Sequence, residues 1–106
     1  MSELLGELEV LVLIAILRIG PNAYGVPIVE ELRRHTKRPI LRPSVYLALK
    51  RLEDKGLVRT RLGEPEPRRG GRARRFVELT TPARRQLRES QRTMKSLWQG
   101  VRLDEV

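Results

Sequence analysis

The chain has 106 residues and no cysteine, which suits one compact domain with a small core and excludes disulfides and thiolate chemistry. Its longest apolar run, residues 10–17, is too short to cross a bilayer, and acidic residues stand where a signal peptide would be positive, so we expect a cytoplasmic protein. The formal net charge is +9, and residues 33–92 hold 19 of the 22 Lys and Arg residues but 6 of the 13 Asp and Glu residues, which predicts a polyanionic partner.

Two helices are predicted in the first third of the chain. Residues 3–19 keep helical spacing of apolar side chains, with Ser2 as the cap and glycine and proline at 20 and 21 as the end. The β-branched run 10–14 would also suit a buried strand, but the spacing favours a helix. Asn22 is predicted to cap a second helix that runs to about His35, with Pro27 near its first turn. Its inward residues would be Ile28, Val29 and Leu32, and its outward residues Glu30, Glu31, Arg33 and Arg34.

A third helix is predicted over residues 43–55, after a basic connector that contains two prolines. Pro43 suits a first helical turn, and Gly56 suits a left-handed stop. Apolar residues at i, i+4 and i+7 share the buried face, namely Val45, Leu49 and Leu52. The residues that then point outward are Ser44, Leu47, Lys50, Arg51 and Asp54, with Tyr46 at the boundary.

The last part of the chain predicts a hairpin and a helix. Residues 57–62 and 73–80 alternate apolar with polar side chains, and the prolines, glycines and arginines between them predict a charged turn. Thr80 or Thr81, followed by Pro82, caps a final helix that reaches about residue 103. The apolar stripe of this helix comprises Ala83, Leu87, Met94, Leu97, Trp98 and Val101.

The order of these elements predicts the fold class. Three helices, a two-stranded hairpin and a further helix form a mainly α structure with a small β-hairpin (α+β), which is the order of a winged helix-turn-helix domain with an added C-terminal helix. In that fold the third helix enters the DNA major groove. The short cationic helix at 43–55 is therefore predicted to be the recognition helix.

Three stretches resemble the PadR family of bacterial transcriptional regulators, in particular its short-tailed branch. "AYGVPIVEEL" at 23–32 is similar to the second helix of that family, and "SVYLALKRLEDKGLV" at 44–58 is similar to its recognition helix. "GGRARRFVELTTPARRQL" at 70–87 is similar to its wing and the beginning of its last helix. The chain departs from the family pattern in having proline at positions 27 and 43.

The resemblance implies a domain division, an assembly and a function. Residues 1–80 would form the DNA-binding domain, and residues 81–106 a C-terminal dimerisation helix with its tail. A homodimer joined through the first and last helices would bind a palindromic operator, acting as a repressor that a small molecule relieves. No cofactor is implied.

Candidate DNA-binding residues lie on the third helix and the wing. The basic residues of the helix could equally form a solvated face, Tyr46 could instead pack on the wing, and the arginine-rich turn could be a soluble tip rather than a segment along the backbone or in the minor groove. The candidates are Arg42, Ser44, Tyr46, Lys50, Arg51, Arg68, Arg69, Arg72, Arg74 and Arg75.

The first and last helices carry more apolar surface than a three-helix core would cover, which predicts dimerisation. The candidate dimerisation residues are Leu5, Leu8, Leu87, Met94, Leu97, Trp98 and Val101. Trp98 would be a packing residue of the dimer. Alternatively, the resemblance implies a flat hydrophobic pore in which Trp98, with Met94 and Leu8 or Leu5, stacks a planar effector.

Catalysis and metal binding have no support in the sequence. His35 stands alone among basic residues, and no nucleophile with its base, paired carboxylates or phosphate-binding glycine loop is recognisable. Two other functions compete with DNA binding. An arginine-rich chain of this size also suits a ribosome-associated RNA-binding protein, although its acidic ends argue against that, and a winged helix can serve as a protein-interaction module.

Overall fold

The structure, a computed structural model, describes residues 5–64 and 74–105. Three helices, a two-stranded hairpin and a fourth helix follow one another in the predicted order. A short 3₁₀ helix, Leu103–Glu105, comes last. Within the described ranges, no helix is long and apolar enough to span a bilayer. The main elements are α1 (Glu7–Ile19), α2 (Gly25–His35), α3 (Arg42–Asp54), β1 (Val58–Leu62), β2 (Arg75–Leu79) and α4 (Thr81–Trp98).

The core lies where α1, α2, α3 and the hairpin meet. Helical periodicity placed the inward faces of α2 and α3 correctly, except that Leu49 is half-buried and Ala48, which the spacing did not single out, is fully buried. The largest fully buried side chains are Val12 and Leu13 of α1, Ile28 and Val29 of α2, Val45 and Leu52 of α3, and Leu57 before β1.

The beginning of α1 differs from the prediction. The helix begins at Glu7 rather than at residue 3, with Gly6 in the extended N-cap position, and Ser2 lies outside the described residues. The Glu9 carboxylate accepts a hydrogen bond of 3.0 Å from the Gly6 N–H, which satisfies one of the free amides at the helix end. Gly20, with a φ of 89°, ends the helix as predicted.

The beginning of α2 is also later than predicted. Asn22 does not cap it, because the N-cap residue is Tyr24 and the helix begins at Gly25. The preceding chain is tied to the sheet, since the Val77 N–H of β2 donates a 2.9 Å hydrogen bond to the Ala23 carbonyl. Tyr24, the next residue, is extended, and Pro27 falls within the first turn, where its missing N–H costs little.

Helix α3 and the hairpin agree closely with the sequence pattern. Helix α3 begins at Arg42, one residue early, with Pro43 in the first turn, and Gly56 follows with a φ of 73°. Strands β1 and β2 pair antiparallel, with Val58 opposite Leu79 and Leu62 opposite Arg75. Most of the predicted charged turn lies outside the described residues.

Helix α4 is capped by Thr80, whose hydroxyl accepts from the Ala83 N–H at 3.4 Å and donates to the Gly56 carbonyl at 2.8 Å. The helix ends at Trp98, so the predicted end near residue 103 is wrong. The chain leaves the helical conformation at Gln99, which is extended, and Gly100 follows with a φ of 77°, so Val101 lies beyond the helix. The helical stripe is therefore one residue shorter than the sequence suggested.

An ion pair joins the beginning of α1 to the end of α3. Lys55 Nζ lies 2.8 Å from Glu9 Oε2, and Glu9 is 7% exposed, the one charged residue buried in the described chain. Burial raises the pKa of the Glu9 carboxyl, but the hydrogen bonds from Lys55 and Gly6 and the charges of Lys55 and Arg51 outweigh it. The net pKa is lower than the ordinary 4.5. The pair helps to hold α3 against α1.

We expect this carboxylate to make stability depend on pH. In the unfolded chain Glu9 titrates near 4.5 and in the folded chain below it, so its contribution is complete above pH 4.5 and is lost as pH falls through the lower folded pKa. Glu9→Gln should reduce the free energy of unfolding at pH 7 by about 1 kcal/mol. The difference from the parent should shrink under acid, as measured by urea unfolding at a fixed protein concentration.

Glu7→Gln provides the matched control. Glu7 pairs with Arg38 at 3.0 Å, but both side chains are largely exposed. We expect that change to alter the free energy of unfolding by less than about 0.5 kcal/mol at either pH. A Glu9→Gln protein that differs from the parent equally at neutral and acid pH would contradict the assignment.

Candidate nucleic-acid interface

Helix α3 presents its polar face to solvent because the opposite face is locked into the core. Val45, Ala48 and Leu52 are buried, while Leu47, Lys50 and Arg51 are exposed. The connector between α2 and α3 is held by Arg33, whose guanidinium donates two hydrogen bonds of 2.9 and 3.1 Å to the Ile40 carbonyl. The Arg33 contact thus ties the connector to α2, and the polar face of α3 remains open to solvent.

The cationic side chains of this face differ in the contacts that they already make within the chain. Lys50 Nζ lies 3.2 Å from Asp54 Oδ1 one turn on, and both side chains are about two-thirds exposed, so solvent or a phosphate can compete for the lysine. Arg51 is exposed, and its charge contributes to lowering the pKa of Glu9. Arg42 is exposed in the first turn, and Ser44 is half-buried beside it.

Tyr46 packs on α2, a contact that the sequence did not predict. Its ring lies over Gly25, the first residue of α2, so closely that a Cβ there would lie 2.5 Å from the hydroxyl oxygen and 2.7 Å from Cζ. The side chain is still 44% exposed. Sequence reasoning missed this role of Gly25, because no local pattern connects two residues that are 21 positions apart.

The described part of the wing is built on aromatic packing. Tyr24 and Phe76 meet edge to face with ring centroids 5.7 Å apart, and Arg61 lies 4.6 Å from the Phe76 centroid. Arg74 lies 5.0 Å from the Tyr24 centroid. This candidate DNA contact is therefore also a packing residue between the wing and the beginning of α2.

Of the other wing candidates, the structure describes Arg75. Arg75 is exposed, and its Nη1 lies 3.4 Å from Thr60 Oγ1 on the paired strand. Arg59 and Glu78, opposite each other in the sheet, form an exposed ion pair of 3.2 Å. Arg68, Arg69 and Arg72 lie outside the described residues.

A second charge cluster surrounds Glu31 at the end of α2. The sequence predicted Glu31 on the outer face of α2, but its side chain is mostly buried. Arg18 Nε and Arg34 Nη2 each lie 2.7 Å from one of its carboxylate oxygens. The hydrogen bonds from Arg34 and Arg18 lower the pKa of Glu31 to about 2. His35 Nε2 lies 2.9 Å from the same carboxylate, a partner that the sequence analysis did not assign to it. In the described ranges no three metal-binding side chains cluster.

Helices α1 and α4 enclose a groove of about 1040 Å³ with an apolar floor. Of the predicted dimerisation residues, Leu5, Leu87 and Met94 line it. Leu8 lies instead in a smaller groove between α1 and the α2–α3 connector, so one chain does not bring it together with Met94. Leu97, Trp98 and Val101 are exposed and line neither groove.

Family comparison agrees with this architecture. The family described as "Transcriptional regulator PadR-like family" matches residues 13–89, most of the chain. The chain belongs to the PadR-like family. Its members are transcriptional regulators, which confirms the resemblance and the prediction of a DNA-binding regulator rather than an enzyme. No curated protein matches the chain significantly.

Solved structures share the fold of this PadR-like chain. A PadR family regulator from Clostridium difficile R20291 is 23% identical with a TM-score of 0.69, over 89% of this chain and 96% of that one. One from Eggerthella lenta DSM 2243 is 28% identical with a TM-score of 0.68, over 85% and 75%. Bordetella bronchiseptica BpsR, solved to explain regulation of its DNA binding by 6-hydroxynicotinic acid, is 21% identical with a TM-score of 0.64, over 99% and 74%. These neighbours confirm the winged helix with an added C-terminal helix.

Proposed function

We propose that this PadR-like regulator is a homodimeric repressor that binds a palindromic operator and is released by a flat, apolar effector. One observation carries the proposal: α3 and the hairpin expose cations, and α1 and α4 leave a set of large apolar side chains exposed. The cations include Lys50, Arg51 and Arg75, and the apolar side chains include Ile14, Leu17, Met94 and Leu97, although α4 exposes cations on its other face as well. One set of elements is suited to a polyanion and the other to a second copy of the chain.

Dimerisation is supported by the exposure of α4. Ala83 is the one fully buried residue of this 18-residue helix, which the structure describes throughout, and Leu97 is 69% exposed. Most of the stability of a helix in a protein comes from packing of its apolar face, and within one chain most of this face is exposed. The partner's α4 would cover the stripe and fill the groove against α1, as a two-fold interface requires. Residues 81–106 are thus proposed as the dimerisation helix and its tail.

The DNA contacts would divide into base reading and phosphate binding. Lys50 and Arg51, on the exposed face of α3, are proposed to reach base edges, where a bidentate contact to guanine contributes about 1–3 kcal/mol of discrimination. Arg42, Ser44 and Tyr46 would hold the phosphates beside them. The wing residues Arg68, Arg69, Arg72, Arg74 and Arg75 would lie along the backbone or in the minor groove.

The effector proposal rests on Trp98 at the end of α4. Its ring is about half exposed and stands on the same helical stripe as Met94, so a two-fold axis near α4 would bring two Trp98 rings together. A planar molecule between them would gain about 0.5–1.5 kcal/mol for each ring pair beyond its buried area. Leu8 can join this site only from the partner chain. The regulation of BpsR by a small ligand is a precedent in a protein of the same fold.

Effector binding would act on DNA through the geometry of the dimer. A ligand shifts operator affinity only if it binds the DNA-competent and incompetent dimers with different affinity. A change of angle between the two α4 helices would alter the distance between the two α3 helices. Repression needs only occupancy of a promoter, without contact to the polymerase.

Protection mapping on DNA flanking the gene tests the function. We expect two symmetric protected segments centred about 34–36 Å apart, or a multiple of that, because each α3 occupies one major groove on the same side of the duplex. Competitor RNA should leave the protection intact. A single asymmetric segment would contradict the palindrome, and loss of protection to RNA would favour an RNA-binding protein.

The same mapping tests the effector site when it is repeated with a panel of planar aromatic compounds. At least one compound should remove protection from the parent and quench the fluorescence of Trp98, the sole tryptophan. Trp98→Ala should keep the operator protection and lose that response. If the variant responds as the parent does, Trp98 is a packing residue of the dimer.

A further inference from the structure

Gly25 occupies a position where the backbone does not need glycine. The glycines with positive φ among the described residues are Gly20, Gly56 and Gly100, so the φ of Gly25 is one that any residue adopts. It is also the first residue of a helix, where alanine has the higher helical propensity. The reason for glycine must therefore be the space around its Cα.

That space is taken by the Tyr46 side chain from α3. A Cβ on residue 25 would overlap with the ring, at 2.5 Å from the hydroxyl oxygen and 2.7 Å from Cζ. Contacts under 3.0 Å are essentially absent between real Cβ atoms and their neighbours, so something has to move. Tyr46 is at the surface and can rotate about χ1 and χ2, whereas Gly25 is buried at the beginning of a packed helix.

The Tyr46 hydroxyl is also available to a ligand. Among residues 5–64 and 74–105, no group forms a hydrogen bond with it, and the side chain is 44% exposed. It stands on the helix that carries Lys50 and Arg51, four and five positions before them. Tyrosine hydroxyls are among the groups that bind DNA phosphates and set the register of a protein on the duplex.

We propose that Gly25 is a positioning residue for DNA binding. It leaves the space that holds the Tyr46 ring against α2, and so directs the hydroxyl to a phosphate without touching DNA itself. The proposal rests on the proposed function, in particular on a phosphate contact by Tyr46. A side chain at position 25 would turn the tyrosine away from that phosphate while the helices stay folded.

A double-mutant cycle on operator affinity tests this coupling. Tyr46→Phe, which loses the hydroxyl, and Gly25→Ala should each weaken binding about 10-fold for each subunit, and so about 100-fold for the dimer, as expected for a hydrogen bond to a charged group in each subunit. Tyr46→Ala removes the ring and makes room for a Cβ. In that background Gly25→Ala should cause no further loss. Equal losses from Gly25→Ala with and without the tyrosine ring would overturn the proposal, because they would show an effect on the helix alone.

Two further measurements separate positioning from misfolding. Gly25→Ala should unfold at the temperature of the parent or above, and 3-fluorotyrosine in place of tyrosine should show a shifted ¹⁹F signal for Tyr46, assigned by its absence from Tyr46→Phe. Gly6→Ala makes the same substitution at the beginning of α1, where the nearest atom is the flexible Glu9 carboxylate, and it should leave operator affinity unchanged.

The outcomes also separate this proposal from the proposed function. If the parent binds an operator and Tyr46→Phe or Gly25→Ala binds it equally well, the positioning role fails and the regulator remains. If the parent protects no symmetric operator, the proposed function itself fails and the positioning role falls with it. An unshifted ¹⁹F signal in Gly25→Ala would contradict the positioning role independently of DNA.

Discussion

We expect operator affinity to fall by about 10³- to 10⁵-fold when salt rises from 50 to 200 mM, because two subunits would neutralise about 6 to 10 phosphates and displace their counterions. The charge of the chain supports this range, since most of its basic residues lie between positions 33 and 92. Arg18 and Arg34 share the carboxylate of Glu31, so we expect them to contribute less than the cations of α3 and the hairpin. Fluorescence anisotropy with labelled duplex at several salt concentrations measures the slope.

Single substitutions should separate the two kinds of contact. Arg75→Ala removes one wing cation per subunit, so binding should weaken on all duplexes alike and the slope of log affinity against log salt should fall by about 2 per dimer. Lys50→Ala should instead relax the preference at particular base pairs by about 1–3 kcal/mol. Part of the affinity loss in Lys50→Ala is offset, because Lys50 in the parent has to break its ion pair with Asp54 before it binds DNA.

Arg85→Ala is the matched control for these variants. Arg85 is exposed on α4, away from the apolar stripe, so the variant loses the same charge outside the candidate interface. We expect its affinity to change only slightly and its salt slope to stay the same. A slope that responds equally to Arg75→Ala and Arg85→Ala would show that net charge, and not the wing, determines binding.

The second large effect is expected from Leu97→Glu, which should convert the dimer into monomers. Leu97 is exposed on the free half of α4, where the partner helix is proposed to pack. Burying an unpaired carboxylate costs several kcal/mol for each subunit, which weakens association by more than about 100-fold. Sedimentation velocity at micromolar concentration should show the parent as a dimer and the variant as a monomer.

Ser96→Glu tests whether the position of the charge matters. Ser96 is the neighbouring residue, exposed, and on the opposite face of α4 from Leu87 and Met94. The variant should remain dimeric and bind the operator. A parent that sediments as a folded monomer would refute dimerisation, as would a Leu97→Glu protein of unchanged size. A monomeric variant can contact only one half-site, so its operator affinity should also be lost.

The sequence determined the elements, the faces of α2 and α3 and the family. Glycine at 20 and 56 and proline at 43 place helix ends through their own backbone preferences. Periods of 3.6 and 2 residues predicted the helices and the strands, because burial on one side of an element repeats with its geometry. These signals connect residues that are a few positions apart, so the sequence displays them directly.

Other features depended on contacts between distant residues, and only the tertiary structure decided them. Helix α1 begins at Glu7, where Glu9 binds Lys55 from 46 positions away, and α2 begins after residue 23 because Val77 holds that residue to the sheet. Tyr46 packs on Gly25, and α4 leaves the core after its first turns. Local propensity does not account for such contacts. They form only when whole helices and strands pack together and bring distant residues into contact.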